Sequence, residues 1–358
     1  MNKINSWMND GIIFAFPIKS RMLPTPILAE KPVPSIGPKK GLAGNKTPNF
    51  KTPNFFIVGG PKCGTTALDH YFSAHPDIFV AKKEMHHFGA DLRFGSQFYR
   101  RDRDAYLAEF ETWGGQACVG ESSVWYLFSR EAAAEIKAFN PDARIIIMLR
   151  EPTAMMYSLY HQFRCDGNEH LPTFEEALAE EEDRRAGRHI SRQAYFPPGL
   201  FYRATVRYAE QVERYFEAFG RERVHVIIYD DFAADSAGVY ADALNFLGVA
   251  PADTDVDFEV INGNKSVRSP MMRAILYDPL VRGTAIALRD RVPRPIFNAL
   301  QKFENWFGSL NTRAEKRLPM ARALQLSLRR EFAPEVERLS ALLGRDLTHW
   351  SKPEPGSH

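Results

Sequence analysis

Phe55 to Leu68 reads FFIVGGPKCGTTAL. A continuous apolar run stops at two glycines, a loop with a single lysine follows, and two threonines open an apolar-periodic segment. An unbroken apolar run is the pattern of a strand buried on both faces. Threonine ahead of a periodic segment is a helix-start signal, with Thr65 as the N-cap. Strand, glycine loop and helix in this order make an anion cradle, because N–H groups at a helix N-terminus point outward and the helix dipole favours negative charge there. Gly59, Gly60 and Gly64 let the backbone turn tightly and approach a ligand without side chains in the way.

The rest of the chain alternates in the same way. Strand-like runs lie at Ile78–Val80, Ala117–Gly120, Arg144–Leu149 (RIIIML) and Val224–Tyr229 (VHVIIY). Helical patterns lie at Thr66–Ser73, Glu131–Phe139, Thr153–Phe163, Leu200–Phe219 and Ser236–Leu247. Thr173-Phe-Glu-Glu176 is a capping box that opens a charged helix to Arg185. This alternation predicts an α/β fold, a P-loop-like parallel sheet flanked by helices. Ligands in such folds bind at the carboxyl ends of strands, here after Val58 and after Leu149. Residues 262–350 are expected to be mostly helical, punctuated by Pro270, Pro279, Pro293, Pro295, Pro319 and Pro334, and to pack over one edge of the sheet. Residues 1–52 read as a loosely ordered leader with recurrent prolines, 53–350 as the folded domain and 351–358 as a tail. The run Lys46-Thr-Pro-Asn-Phe50 repeats at once as Lys51-Thr-Pro-Asn-Phe55.

Bulk properties narrow the function. A formal net charge of +2 over 358 residues gives no electrostatic argument for nucleic acid. Cys63, Cys118 and Cys165 are the only cysteines, a set too sparse for a disulfide framework and suited to a reducing compartment. No segment approaches the roughly 20 apolar residues needed to cross a bilayer, so a cytoplasmic protein is expected. Nothing in the sequence speaks to oligomeric state.

The glycine loop is close to a Walker A motif but departs from it. Gly59 and Gly64 have the right spacing, yet Thr65 stands where an NTPase needs lysine. Lys62 lies inside the loop, beside the 5′ end of a nucleotide rather than over a γ-phosphate. No lysine–hydroxyl pair is available to hold Mg²⁺.

Four elements follow one another: Gly60-Pro-Lys-Cys-Gly-Thr-Thr66; Lys82-Lys-Glu-Met-His-His-Phe-Gly89; Gly120-Glu-Ser-Ser-Val-Trp-Tyr-Leu127; and Arg144-Ile-Ile-Ile-Met-Leu-Arg-Glu-Pro152, with Ser158 in the helix beyond. In this order they resemble the PAPS-dependent sulfotransferases, and most closely the branch of the heparan sulfate sulfotransferases and bacterial relatives, from about Asn54 to Trp350. The resemblance implies that Pro61, Lys62, Cys63, Gly64, Thr65 and Thr66 form a 5′-phosphosulfate loop. It implies that Arg150 and Ser158 hold the 3′-phosphate, that Glu84 is the general base and that His86 touches the acceptor. Lys265 to Arg268 (KSVR) falls where the family closes a basic loop over the nucleotide, with a different spacing of basic residues. PAPS is the implied cosubstrate and 3′,5′-adenosine bisphosphate (PAP) the product. The implied acceptor is a hydroxyl of a carbohydrate, lipid or small metabolite. The chain has no cysteine after Cys165, unlike many Golgi members, and a glycosaminoglycan acceptor is therefore not implied.

Residue chemistry agrees. Sulfuryl transfer, by analogy with phosphoryl transfer, runs through a loose in-line transition state in which catalysis is positioning and charge stabilisation. Lys62 and the N–H groups of Gly64, Thr65 and Thr66 compensate charge growing on the leaving oxygen, and Glu84 takes the acceptor proton. No metal is required. Each residue has a plainer reading: Glu84 as a partner of Lys82 or Lys83, Arg150 as a partner of Glu151, Glu121 as a structural hydrogen-bonding group, Trp125 and Tyr126 as core. Cys63 reads as a small side chain in a crowded loop or as a thiolate at a helix N-terminus. A P-loop kinase or NTPase, and a non-catalytic nucleotide- or sulfoglycan-binding module, are the alternative functions.

Overall fold

The structure, a computed structural model, describes residues 52–92, 94, 102–191, 194–252, 258, 265–267, 312–314 and 318–352. Its centre is a five-stranded parallel sheet of order β2-β3-β1-β4-β5, built from β1 (Phe55–Gly59), β2 (Ile78–Val80), β3 (Cys118–Ser122), β4 (Arg144–Leu149) and β5 (Val224–Ile228). Every residue of β1 and β3 is buried, and so is β4 after Arg144. Burial of successive residues, which point to opposite faces, requires cover on both sides of the sheet. The helices are α1 (Thr65–Ser73), α2 (Arg103–Ala108), α3 (Ala132–Phe139), α4 (Pro152–Asp166), α5 (Phe174–Ala179), α6 (Glu181–Arg185), α7 (Tyr202–Thr205), α8 (Tyr208–Phe219), α9 (Tyr229–Ala234), α10 (Ser236–Leu247) and α11 (Arg322–Leu343). The central strand β1 has β3 on one side and β4 on the other. The chain leaves it toward β2 and later returns to β4, so the strand order reverses at β1 and a crevice opens at its carboxyl end. None of the helices among the described residues is long and apolar enough to cross a membrane.

The expected parallel α/β sheet is present, with boundary differences that have local causes. Helix α1 starts at Thr65, with Gly64 at φ +95° as its N-cap and no side-chain cap. The predicted single helix Leu200–Phe219 is instead a 3₁₀ turn (Pro197–Leu200) followed by α7 and α8. Side chains take carbonyls that a continuous helix would use: Arg184 Nη1 donates to the Leu200 carbonyl (3.3 Å), and Gln211 Nε2 donates to that of Ala204 (3.1 Å). The Ala209 N–H at the start of α8 donates to Glu335 Oε1 (2.7 Å) on α11. The capping box at Thr173 is formed, but the helix it opens breaks at Glu180 into α5 and α6. Helix α9, not foreseen, continues directly from β5. Within 262–350, Lys265–Val267 and Thr312–Ala314 pair as short antiparallel strands (β6, β7) rather than forming helix. Helix α11 runs through Pro334 instead of stopping there.

One buried ion pair organises the α4–α7 region. Glu169 and Arg184 are both fully enclosed, with Arg184 Nη2 2.8 Å from Glu169 Oε1. The carboxylate also accepts from the Tyr202 hydroxyl (3.0 Å) and from the N–H groups of His170 (2.9 Å) and Leu171 (3.0 Å). Removing one member of such a pair strands the other charge in a low-dielectric interior. Arg184→Met is therefore expected to destabilise the fold by about 3–5 kcal/mol, read as a lower urea midpoint at neutral pH.

Candidate active site

The crevice at the end of β1 is floored by the glycine loop. The Gly60 N–H donates to the Met148 carbonyl of β4 (2.6 Å), tying the loop to the neighbouring strand. At Gly59 (φ +145°) a Cβ would stand 2.4 Å from the Val124 carbonyl oxygen, and at Gly64 it would meet the Phe232 ring at 3.2 Å. Neither position admits a side chain at ordinary distances, so the loop path is set by packing as well as by turn geometry. The first N–H groups of α1 have no intrahelical carbonyl partners, and they carry the positive end of the helix dipole into the crevice.

Two cations lie on the β4 side of the crevice, one after β4 and one in the glycine loop. Arg150, at the carboxyl end of β4, stacks over the Tyr229 ring (4.5 Å to its centroid) and donates from Nη1 to the Lys62 carbonyl (3.3 Å). Lys62 itself has φ +61° and donates from Nζ to Gln162 Oε1 (3.2 Å) on α4. Behind Gln162 lies Asp166. Burial pushes its carboxyl up to about 6, against the Asn168 N–H, the Tyr195 hydroxyl, Gln162 and the charge of Lys62. Ser158 is buried on the same helix. Glu151 does not pair with Arg150. It caps α4 through the Ala154 N–H (2.6 Å) and faces Arg329 of α11 at 3.6 Å.

The other wall comes from β3 and the segment after β2. Glu84 (φ +60°) and His86 (φ +48°) both have left-handed backbones, a costly conformation for such residues that persists only where surroundings hold it. The holding contacts are visible. The Glu84 N–H donates to the Ser122 carbonyl (2.9 Å), the His86 N–H to Ser123 Oγ (3.1 Å) and the His87 N–H to the Tyr126 hydroxyl (2.7 Å). Glu84 Oε2 accepts from the Val124 N–H (3.1 Å) and lies 3.4 Å from His86 Nε2. The His86 ring stacks on Phe94 (4.2 Å), and burial holds its pKa below the usual histidine value. Lys83 Nζ donates to Ser122 Oγ (2.8 Å) and Thr65 Oγ1 (3.3 Å) and is 3.7 Å from Glu84 Oε1. Asp69 stands nearby, its carboxyl pushed up to about 6 by burial and drawn down by Lys83.

Glu121 lies beneath this wall, fully buried, accepting from Ser123 Oγ (3.0 Å). Burial pushes its carboxyl up to about 7, moderated by Tyr106, Tyr126 and Ser123. The folded state thus prefers the protonated acid. Its contribution to stability is full below the unfolded value near 4.5 and is lost as pH rises to about 7. Glu121→Gln is expected to flatten the fall in stability across that window, measured by urea unfolding at a series of pH values, while Asp69 and Asp166 continue to titrate.

The structure therefore brings together Lys62, Thr65, Glu84 and Arg150 around one crevice, with His86 against Glu84. Trp125 and Tyr126 are core residues. The thiolate reading of Cys63 is overturned: the thiol is fully buried beneath the loop, bonded to the Pro61 carbonyl (3.3 Å), and desolvation pushes it up to about 12 despite Arg150 and Lys62 nearby. Lys265 begins β6, which packs beside α4, and Arg268 lies outside the described residues. Sequence reasoning gave Lys83 no role beyond pairing with Glu84; the doubled lysine ahead of Glu84 was the available signal. It also missed Gln162 and Tyr229, whose residue types carry no signal. Among the described residues, Glu180, Asp183 and His189 have cation-ligand chemistry, but they sit around α6 in ion pairs with one another and with Arg188.

A parallel sheet with a glycine loop at its switch point, and two cations beside that loop, has the arrangement of an anion-binding site in an open α/β fold. Residues 52–274 match the sulfotransferase domain, and the chain belongs to that family. It is similar to a crystal structure of a sulfotransferase from Alicyclobacillus acidocaldarius, with TM-score 0.61 and 33% identity, covering 84% of this chain and 100% of that one. It is 27% identical over 206 residues to the human heparan sulfate glucosamine 3-O-sulfotransferase 3B1, covering 58% of this chain and 48% of the relative. It is 30% identical over 110 residues to the membrane-associated sulfotransferase kil1 of Dictyostelium discoideum, covering 30% of this chain and 22% of the relative. The chain thus spans about half or less of the length of these two relatives.

Proposed function

We propose that this protein transfers a sulfuryl group from PAPS to a hydroxyl of a carbohydrate, lipid or small-metabolite acceptor, with residues 53–350 acting as the transferase domain. The observation that carries the reading is the 3.3 Å contact between Arg150 Nη1 and the Lys62 carbonyl. A guanidinium suited to bidentate phosphate binding and a loop suited to a phosphosulfate stand side by side, although 88 residues separate them in sequence. One adenosine ligand charged at both its 3′ and 5′ positions would satisfy both.

In this reading the 5′-phosphosulfate rests on the N–H groups at the start of α1, with Lys62 beside the bridging oxygen. Arg150 and Ser158 take the 3′-phosphate, and the Lys265–Arg268 segment closes over the nucleotide. The acceptor oxygen attacks sulfur in line. Its bond to sulfur forms as the bond from sulfur to the 5′-phosphate oxygen breaks, and its proton passes to Glu84. Products are the sulfated acceptor and PAP. His86, neutral and stacked on Phe94, contacts the acceptor. The similarity to a glucosamine 3-O-sulfotransferase supports a carbohydrate among the acceptors, and three free cysteines suit a reducing compartment such as the cytoplasm.

The test has two parts. PAP should raise the melting temperature more than ADP with Mg²⁺ does. Isotope-labelled PAPS, incubated with the protein and extracts of its source organism, should yield products heavier by one SO₃. Stabilisation by ADP–Mg²⁺ alone would favour a kinase or NTPase. Tight PAP binding without product over a broad acceptor panel would favour a non-catalytic module.

A further inference from the structure

The crevice holds a second lysine whose position differs in kind from that of Lys62. Lys62 points toward α4 and Gln162, on the β4 side of the central strand. Lys83 approaches from the β3 side, where Ser122 Oγ at the end of β3 accepts from its Nζ at 2.8 Å. The two ammonium groups therefore flank the anion loop from opposite sides.

The partners of Lys83 define where its charge lies. An ammonium has three N–H donors. One goes to Ser122 Oγ and one to Thr65 Oγ1 (3.3 Å), the first helical residue of α1. The third is left for Glu84 Oε1, 3.7 Å away, or for a closer acceptor. Nζ thus stands between the cradle for the leaving group and the carboxylate that receives the acceptor proton. In an in-line transfer the sulfuryl group occupies the same interval, between leaving and attacking oxygens. A cation touching both boundaries lies beside the nonbridging oxygens of that group. The side chain is mostly covered but still reachable, at 22% exposure, so the charge is only partly screened and remains accessible to a ligand.

We propose that Lys83 is a catalytic residue of this site: its ammonium contacts the nonbridging oxygens of the sulfuryl group, while Lys62 serves the bridging oxygen. The assignment rests on the sulfotransferase reading and adds a division of labour between the two lysines. It also gives Ser122 and Thr65 a purpose, since their hydroxyls aim Nζ at the interval and remove two of its three donors from competition with solvent.

The contact is made to the sulfuryl group and not to the rest of the nucleotide, so PAP and PAPS separate it from a structural role without any knowledge of the acceptor. Affinities for both are to be measured calorimetrically with the full chain, its Lys83→Met variant and its Lys83→Gln variant. Both variants should keep the PAP affinity of the parent, and both should lose about tenfold or more in PAPS affinity, the worth of one charge-assisted hydrogen bond. Lys83→Arg should recover part of the PAPS affinity. Equal loss for PAP and PAPS would show that Lys83 only holds the loop, and no loss for either would place it outside the site; each outcome overturns the assignment. Failure of the parent protein to prefer PAP over ADP is a separate result, and it would sink the sulfotransferase reading itself.

Discussion

Lys62→Ala is expected to lower kcat for sulfuryl transfer by about 10²–10³, the usual cost of removing one group aimed at developing charge. The negative charge that grows on the departing 5′-phosphate oxygen would keep the α1 amides but lose its nearest cation. The fold should survive. The loop path is set by Gly59, Gly64 and the Gly60–Met148 hydrogen bond, and the Lys62 ammonium donates to the Gln162 side chain at 3.2 Å. Alanine accepts the left-handed backbone at this position no worse than lysine does. PAP keeps the 5′-phosphate oxygen that Lys62 faces, so PAP affinity should fall as well, by about tenfold for one charge-assisted contact, and by less than kcat does. Single-turnover transfer from labelled PAPS, with PAP calorimetry on the same preparation, checks both statements. A loss below about tenfold would remove Lys62 from the leaving-group role.

Glu84→Gln is expected to cost about 10²–10⁴ in kcat, the range for a positioned general base. The substitution is nearly isosteric. Its side-chain carbonyl can still accept from the Val124 N–H, which Glu84 Oε2 does at 3.1 Å, and glutamine adopts φ +60° as readily as glutamate. What it cannot do is take the acceptor proton. The PAP affinity and the melting temperature should match the parent, while turnover with any acceptor identified in the PAPS screen should nearly vanish. Full activity would assign Glu84 to the plainer part of pairing with Lys83.

Local signals carried much of the fold. Continuous apolar runs marked β1 and β4, and glycine spacing marked the cradle. The capping box at Thr173 marked the start of α5. Where expectation and structure part, a contact from distant sequence intervened. Arg184, held by the buried Glu169, claims the Leu200 carbonyl ahead of α7, and Glu335 of α11 takes the Ala209 N–H at the start of α8; no window over residues 200–219 contains these partners. The antiparallel pairing of Lys265–Val267 with Thr312–Ala314 is likewise invisible locally, because the two short strands lie far apart in sequence. Within the site, Cys63 shows the limit of motif reasoning. A helix N-terminus argues for a reactive thiolate, but full burial outweighs it.

The amino-acid order by itself determined that a parallel sheet would form, that an anion loop would follow its first strand, and that carboxylate, imidazole and guanidinium groups would be at hand. These follow from periodicity, chain stiffness and side-chain chemistry, which act over about ten to fifteen residues. Only the tertiary structure decided which of those groups meet. Placing β1 between β3 and β4 put Lys83 and Glu84 on one side of the loop, and Lys62, Gln162 and Arg150 on the other. Strand order is settled by burial of both sheet faces and by crossover geometry, and these are properties of the whole packed chain.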